Sequence, residues 1–488
     1  MKHLKPSKAF STRYSAAKRW RAQVQPEIKE VLRYCAPDRV NEFSDGTQIA
    51  ETDTFTSIGE EMSTDFAGDL VNYYFPSEQR WSELEVMTPV AEANAAAVEK
   101  LVKEREAAIF DLLDMSNFND LKPQLMFEAC HGTMALWMDA GHLTEPIFME
   151  VLPPSEVLIT PGHRRFLDRF RESQVIAQNL QATLPNANLN DPAIQKKMER
   201  EGATAKVCWG YWLDWSDPGN PQWRHEITID GKRVTEPEMI IGPMNGACPM
   251  LVGRFNPRVK HPWGRGPGRK ALPDLSTLNK IEEVVLTKLD DQLDPAWSYM
   301  DDGVMDLKYG VEPGMAYPRR SAEPPAPLHD ESRLDYGFYT KGDLEERVRV
   351  AFYQDGPRQR GDTPPTASQW VDERRRVQAR LGKPSAPIAT ELGLPIIQRA
   401  EYLGVQLGML ESAITLNGSV INVRPISPMQ RSQDQDKAMI SRSNMDTGQQ
   451  VFGDQFVQVI DPVQSYQNYL KATGDEIIVL REAPTDEA

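Results

Sequence analysis

The chain has 488 residues, 40% of them hydrophobic, enough to bury a large core and to divide into two to four substructures. Its formal charge of −16 favours solubility and makes it a poor general binder of nucleic acid, because attraction to phosphate needs lysine and arginine in excess. No apolar stretch approaches the roughly 20 residues of a membrane helix, and the basic, polar residues 1–20 lack the apolar core of a secretion signal.

Trp20, Val24, Ile28, Val31 and Leu32 recur at steps of three and four, so residues 8–75 read as helical. Residues 90–115, rich in alanine, glutamate and lysine, form a second helical stretch. A third is expected over 121–138, with Leu125, Cys130, Met134 and Trp137 as its apolar stripe. After Pro146 the period changes to two. Val207, Trp209, Tyr211, Leu213 and Trp215 alternate along a strand, residues 216–221 supply a turn, and 223–229 return as its hairpin partner. Asp230-Gly231 marks a second turn, followed by a short strand at 239–241.

A glycine and proline cluster at 262–268 reads as a structural hinge. It leads into Leu272, Leu275, Leu278, Ile281, Val285, Leu289 and Leu293, the apolar side of a helix of about 23 residues, roughly 35 Å long. Pro295 stops it. Residues 294–337 are rich in proline and glycine and read as an irregular insert before a second helix at 344–353. The broken sequence 354–365 is expected to be a mobile loop. Helices resume over 367–381 and 388–416, and a polar tail follows from residue 428.

Catalytic signatures are missing. There is no G-x-x-x-x-G-K-[ST] loop, no H-E-x-x-H and no G-x-S-x-G. Gly264, Gly266 and Gly268 do not suit a dinucleotide, because Pro267 removes an amide from the anion nest. Asp301, Asp302 and Asp306 do not keep calcium-loop spacing, Cys130-His131 has no third partner at a recognisable spacing, and Trp209, Trp212, Trp215 and Trp223 suit a sheet core better than a stacking platform. Cys35, Cys130, Cys208 and Cys248 are scattered without C-x-x-C spacing. No enzyme, metal, cofactor or disulfide framework is expected, and the chain is expected to be made in a cytoplasm.

Three stretches carry a resemblance. The first is 20–37 (WRAQVQPEIKEVLRYCAP) with Phe55-Thr56-Ser57-Ile58-Gly59 and then 74–81 (YFPSEQRW). The second is 254–278, where Trp263-Gly264-Arg265-Gly266-Pro267 stands in place of a Tyr-Gly-Arg-Gly-Pro. The third is 363–382 (TPPTASQWVDERRRVQARLG), in which Ser368, Gln369 and Trp370 replace the last three residues of a Thr-Ala-Thr-Glu-Val pattern. Together they resemble the portal, or head-to-tail connector, family of short-tailed bacteriophages (podovirus type).

That resemblance implies an α+β, mainly α, ring-forming fold. Residues 1–265 would be a wing, 266–293 and 341–355 a two-helix stem, 294–340 a clip, 356–427 a channel loop and further wing helices, and 428–488 a helical crown with a C-terminal tail. Twelve copies at one capsid vertex of the virion would let double-stranded DNA pass during packaging and ejection without reading its sequence. The implied partners are the terminase motor, the tail adaptor, and capsid and scaffold proteins, with no membrane. The candidate DNA-contacting residues are Arg358, Gln359 and Arg360 on the loop and, on the stem lining, Lys280 and Lys288. Pro324, Pro325 and Pro327 are the candidates for partner contact at the clip. The competing readings are a cytoplasmic enzyme built from scattered acids such as Asp139, Asp214 and Asp301, and a virion structural protein without a channel.

Overall fold

The computed structural model describes residues 5–43, 54–77, 80–86, 94–142, 144–293, 297–300, 316–319, 326–327, 335–354, 367–412, 414–416, 419–421, 423–425, 438, 440–447, 449–450 and 461–473. The fold is α+β with helix predominant.

Helix α1 (Lys8–Cys35) starts where the Ser7 side chain accepts from the Phe10 amide, an N-cap that satisfies one orphan donor. A 3₁₀ turn (Pro37–Phe43), α2 (Ile58–Tyr74), the short strand β1 (Leu84–Val86), α3 (Ala95–Asp114) and α4 (Phe118–Phe127) follow. Strands β2 (Thr133–His142) and β3 (Glu145–Val151) come next, then β4 (Val157–Pro161) and β5 (Leu167–Ile176). The short helices α5 (Leu180–Thr183) and α6 (Pro192–Met198) lead to β6 (Thr204–Asp214) and β7 (Gln222–Ile229). Then come β8 (Lys232–Arg233), β9 (Met239–Pro243) and β10 (Met250–Arg254).

The expected hairpin forms: Trp212 pairs with Arg224 and Leu213 with Trp223. Asp230 and Gly231, both at positive φ, make the tight turn from β7 to β8. These strands belong to a six-stranded sheet, β4-β5-β6-β7-β8 with β9 also on β7. One face packs Phe170, Cys208 and Trp212 against Phe10 and Ala17 of α1; Val207, Trp209 and Tyr211 lie in a separate core with Val24, Ile28 and Leu32 of the same helix.

The expected helix over 121–138 is corrected. Its helical part ends at Phe127, a 3₁₀ turn covers Glu128–Cys130, and β2 begins at Thr133. Gly132, at φ +111°, turns the chain out of the helix, as glycine alone does readily. Strand β2 then pairs on both edges, Leu136 with Leu251 of β10 and with Val151 of β3. Residues 133–136 are all buried, so both sides of the strand are apolar and period two is hidden.

Helix α7 (Pro267–Leu293) and helix α8 (Asp335–Ala351) flank the insert. The insert is not wholly irregular. It contains β11 (Trp297–Met300), β12 (Ala316–Arg319) and β13 (Ala326–Pro327), with β11 in the centre, parallel to β12 and antiparallel to β13. Pro318 and Pro327 fall on the two edge strands, where a missing ladder donor is tolerated.

Helix α9 (Ala367–Ile388) runs through a π turn (Ala389–Gly393) into α10 (Leu394–Gln406). The helix expected to reach residue 416 stops ten residues earlier. Gly408, at φ +71°, and the amides of Met409 and Leu410 donating to the Gly404 carbonyl close its end. Strands β14 (Ile414–Leu416) and β15 (Ser419–Ile421) pair with each other, and β16 (Val423–Pro425) pairs with β1. A last helix spans Pro462–Thr473. The largest core gathers residues of α2, α3, α4, α7, α8 and α10 with β2 and β3.

Candidate functional site

The α7/α8 pair stands on a root made of glycine. A Cβ on Gly264 would overlap the Gly132 carbonyl oxygen, and one on Gly266 would overlap that of Cys130. The Phe255 amide donates to the Gly132 carbonyl at 2.9 Å and the Gly264 amide to Thr133 Oγ1 at 3.0 Å. The cluster read as a hinge is therefore a packed wedge, with two backbones in contact where side chains would keep them apart. Arg269, in the first turn of α7, adds an ion pair to Glu27 of α1 and donates to the Gly264 carbonyl at 3.1 Å.

Above the wedge α7 has two different halves. Ala271, Leu275 and Leu278 are completely buried, alongside Val348 of α8 and Phe352 just past its end. Phe66 of α2 holds Phe352 and Phe255 edge to face, at 6.1 Å and 5.6 Å between centroids. Farther out, Val284, Leu286 and Leu289 are 48%, 46% and 37% exposed. The pair is antiparallel: Lys341 binds Glu282, and Arg347 lies 3.9 Å from Asp274.

Lys280 is exposed and pairs with Glu283 of its own helix at 2.8 Å. Lys288 is half-buried and also has a partner. Pro327 lies in β13, its backbone paired with Trp297. Arg358, Gln359, Arg360, Pro324 and Pro325 lie outside the described residues, as does Asp301. Val284 and Leu286 were not singled out in the sequence, although Val284-Val285-Leu286 is a signal: three consecutive aliphatics cannot all face one side of a helix.

The described residues weighed as candidates for chemistry have partners of their own. His131 Nε2 meets Glu128 Oε2 at 2.6 Å, and Arg39 reaches the other oxygen at 2.7 Å. Burial alone would raise the Glu128 pKa; His131 and Arg39 bring it below the ordinary value. This is a buried ion cluster. Burial pushes the neighbouring Cys130 thiol well above its usual range, which favours the neutral thiol. Asp139 is engaged by Arg399 at 3.4 Å. Asp214, at the end of β6, is held below the carboxylate range by Ser216 and Arg224. Among the described residues no group of three or more His, Cys, Asp and Glu is arranged to hold a metal ion, and no helix is long and apolar enough to cross a membrane.

Arg399 escaped the sequence reading. Its side chain is buried and donates to the carbonyls of Met138 (3.0 Å), Gly246 and Ala247 (both 2.9 Å), tying α10 to the middle of β2 and the loop before β10.

Compared with known families, residues 7–476 match the model described as "Bacteriophage head to tail connecting protein". The chain belongs to that family. This connector is a structural protein joining phage head and tail. It is similar to a chain in the virion of a native gene transfer agent (GTA) particle, with 12% identity over 86% of this chain and 89% of that one, at a TM-score of 0.39. It is also similar to a chain in the neck of an empty GTA particle computed with C6 symmetry, with 12% identity over 79% and 86% of the respective chains, at a TM-score of 0.37. No curated protein matches the connector.

Proposed function

We propose that this connector is the portal of a short-tailed phage: twelve copies ring one capsid vertex, and double-stranded DNA enters and leaves through the hole. The observation that carries this reading, beside family membership, is the outer half of α7. Val284, Leu286 and Leu289 leave a well-buried root and stand in solvent, where each exposes apolar area worth about 25 cal/mol per Å² if covered. Copies of the same helix, side by side, cover it.

Twelve helices spaced about 10 Å apart give a circumference near 120 Å and a centre-line diameter of about 38 Å; less one helix thickness, roughly 28 Å remains. A duplex about 20 Å wide passes, given grooves roughly 8.5 Å deep. Twelve chains at −16 sum to −192, a field that keeps phosphate from adhering to the wall.

In this assignment α7 and α8 are the stem, residues 294–340 with their three strands the clip, residues 1–265 the wing, 356–427 the channel loop with further wing helices, and 428–488 the crown and tail. The clip meets the terminase motor during packaging and the tail adaptor afterwards, with Pro324, Pro325 and Pro327 as contacts. The wing faces capsid and scaffold. Arg358, Gln359 and Arg360 on the loop touch the DNA backbone in passing; alanine at both arginines should reduce the number of filled heads.

The deciding experiment is light scattering on the eluted full-length protein, with axial negative-stain images. Twelve subunits of 55.1 kDa make 12 × 55.1 = 661 kDa, and the images should show a central hole. A monomer or dimer under every condition tried overturns the reading.

A further inference from the structure

Helix α2 carries Glu60, Glu61, Asp65 and Asp69 and not a single lysine or arginine. All four are exposed, together with Thr64, Gly68 and Asn72; Glu61, Asp65 and Asp69, four apart, form one stripe, and Glu60 lies at the helix start. Among the described residues no lysine or arginine pairs with any of them; Asp69 accepts a hydrogen bond from Gln354 at 2.7 Å. Like charges at Glu61, Asp65 and Asp69, four residues apart, weaken an isolated helix. Such a face is favoured when cations cover it.

A matching face exists on α9. From Arg374 to the end of that helix the sequence has five cations and no acid, in a chain whose net charge is −16. Arg376, Arg380 and Lys383, spaced four and three apart, are exposed and form one stripe.

Within the subunit the two helices touch near one end, and Arg376 and Arg380 already have partners, Arg380 acting on Tyr353 beside the α2 face. Tyr74 donates to Ser385 Oγ at 2.8 Å, and a Cβ on Gly382 would lie 3.6 Å from the Tyr73 hydroxyl. At about 100° per residue, Ser385 sits opposite the Arg376–Lys383 stripe, and Tyr74 opposite the Glu61–Asp69 stripe. At these contacts the helices meet through uncharged side chains, which leaves both charged stripes exposed to solvent. Two different, complementary faces are what a head-to-tail ring contact uses, unlike the self-complementary patch of a two-fold dimer.

We propose that the acidic face of α2 in one subunit receives the basic face of α9 from the next copy of this chain, giving the ring a second, polar seam besides the stem. The inference rests on the ring reading above. Charge complementarity of this kind fixes register and direction more than raw affinity, so the seam would set which flank of one copy meets which flank of its neighbour.

The test is made on the full-length chain in three forms: Glu61→Lys with Asp65→Lys, Arg376→Glu with Arg380→Glu, and all four together. Light scattering over a dilution series at low and at 0.5 M salt gives the subunit concentration at which rings half dissociate. Each double variant is expected to raise it about tenfold or more at low salt, and the quadruple variant to bring it back toward wild type; circular dichroism checks that each variant is folded. Rings unchanged by either reversal, or not restored by combining them, overturn the seam. So does an α9 reversal that leaves the rings intact and only lowers retention on duplex DNA, since the basic face would then serve nucleic acid. If wild-type protein forms no ring at any concentration, the ring reading itself has failed, which is a different result from intact rings indifferent to charge reversal.

Discussion

Gly132 and Gly264 meet main chain to main chain: the carbonyl oxygen of one occupies the place a Cβ on the other would need. The obstacle is backbone, which cannot swing aside like the end of a long side chain. Gly264→Ala is expected to destabilise the subunit by about 3 kcal/mol. Gly68→Ala is the control, since open space surrounds that position on α2 and alanine favours a helix by roughly 0.5–1 kcal/mol over glycine. Urea unfolding should move the midpoints in opposite directions; equal effects would show that the wedge is not tight.

Arg399→Leu removes the donor for three carbonyls at once, leaving Met138, Gly246 and Ala247 without it. A loss of about 3 kcal/mol is expected, since stranded buried acceptors cost more than the hydrogen bonds themselves contribute. Calorimetry on the purified subunit measures it; a change below about 0.5 kcal/mol, the range of ordinary surface substitutions, would mean that water replaces the guanidinium.

Two groups on the large sheet respond to pH in opposite senses. Burial lowers His225 to about 4 in the folded chain, against about 6.5 unfolded, so between these values the unfolded chain binds more protons and stability rises with pH. Burial, partly offset by Arg13, raises Asp168 to about 6, against about 3.9 unfolded. The folded chain then binds more protons, and its contribution falls as pH rises through the same window. Relative to wild type, His225→Gln should make the slope of stability against pH between 4 and 6.5 less positive, and Asp168→Asn more positive. Denaturant titrations at pH 4.5, 5.5 and 6.5 would reveal it, and slopes that tilt the same way would contradict the assignment.

Val284→Asp and Leu289→Asp place charge on side chains that are already half in solvent. The unfolding midpoint of the separated subunit should stay within about 0.5 kcal/mol of wild type, while the concentration for half dissociation of the ring rises about tenfold. Sedimentation velocity reads the second quantity. A large loss of subunit stability with no change in assembly would place these side chains in the subunit's own core.

Much of the fold was legible where one side of an element is wet. Helices α1 and α7 and the β6/β7 hairpin announce themselves because their buried residues recur with the period of the element, and α3 through its helix-forming composition. Strand β2 did not, because Met134, Ala135 and Leu136 are all buried and a wholly apolar run fits a helix as well as a strand. The strands at 297–300, 316–319 and 326–327 are too short, and two of them too rich in proline, for alternation to show. At the candidate site the leucine stripe of α7 was visible, but its division at about Ile281 into a buried root and an exposed outer half depends on where α2 and α8 end, which local sequence does not encode. Lys280, a candidate for contact with DNA, pairs within the subunit with Glu283 three residues on, a neighbour that the stripe of leucines does not point to.

The wedge at Gly132, Gly264 and Gly266 has a mechanical corollary. A rod clamped at its base by contacts between main chains cannot swivel there, so a sideways or twisting load at the far end of α7 is taken up along the free shaft beyond Ile281. The sheets behind the clamp feel that load only as a push on a stiff foundation, and the tip gives before the base does.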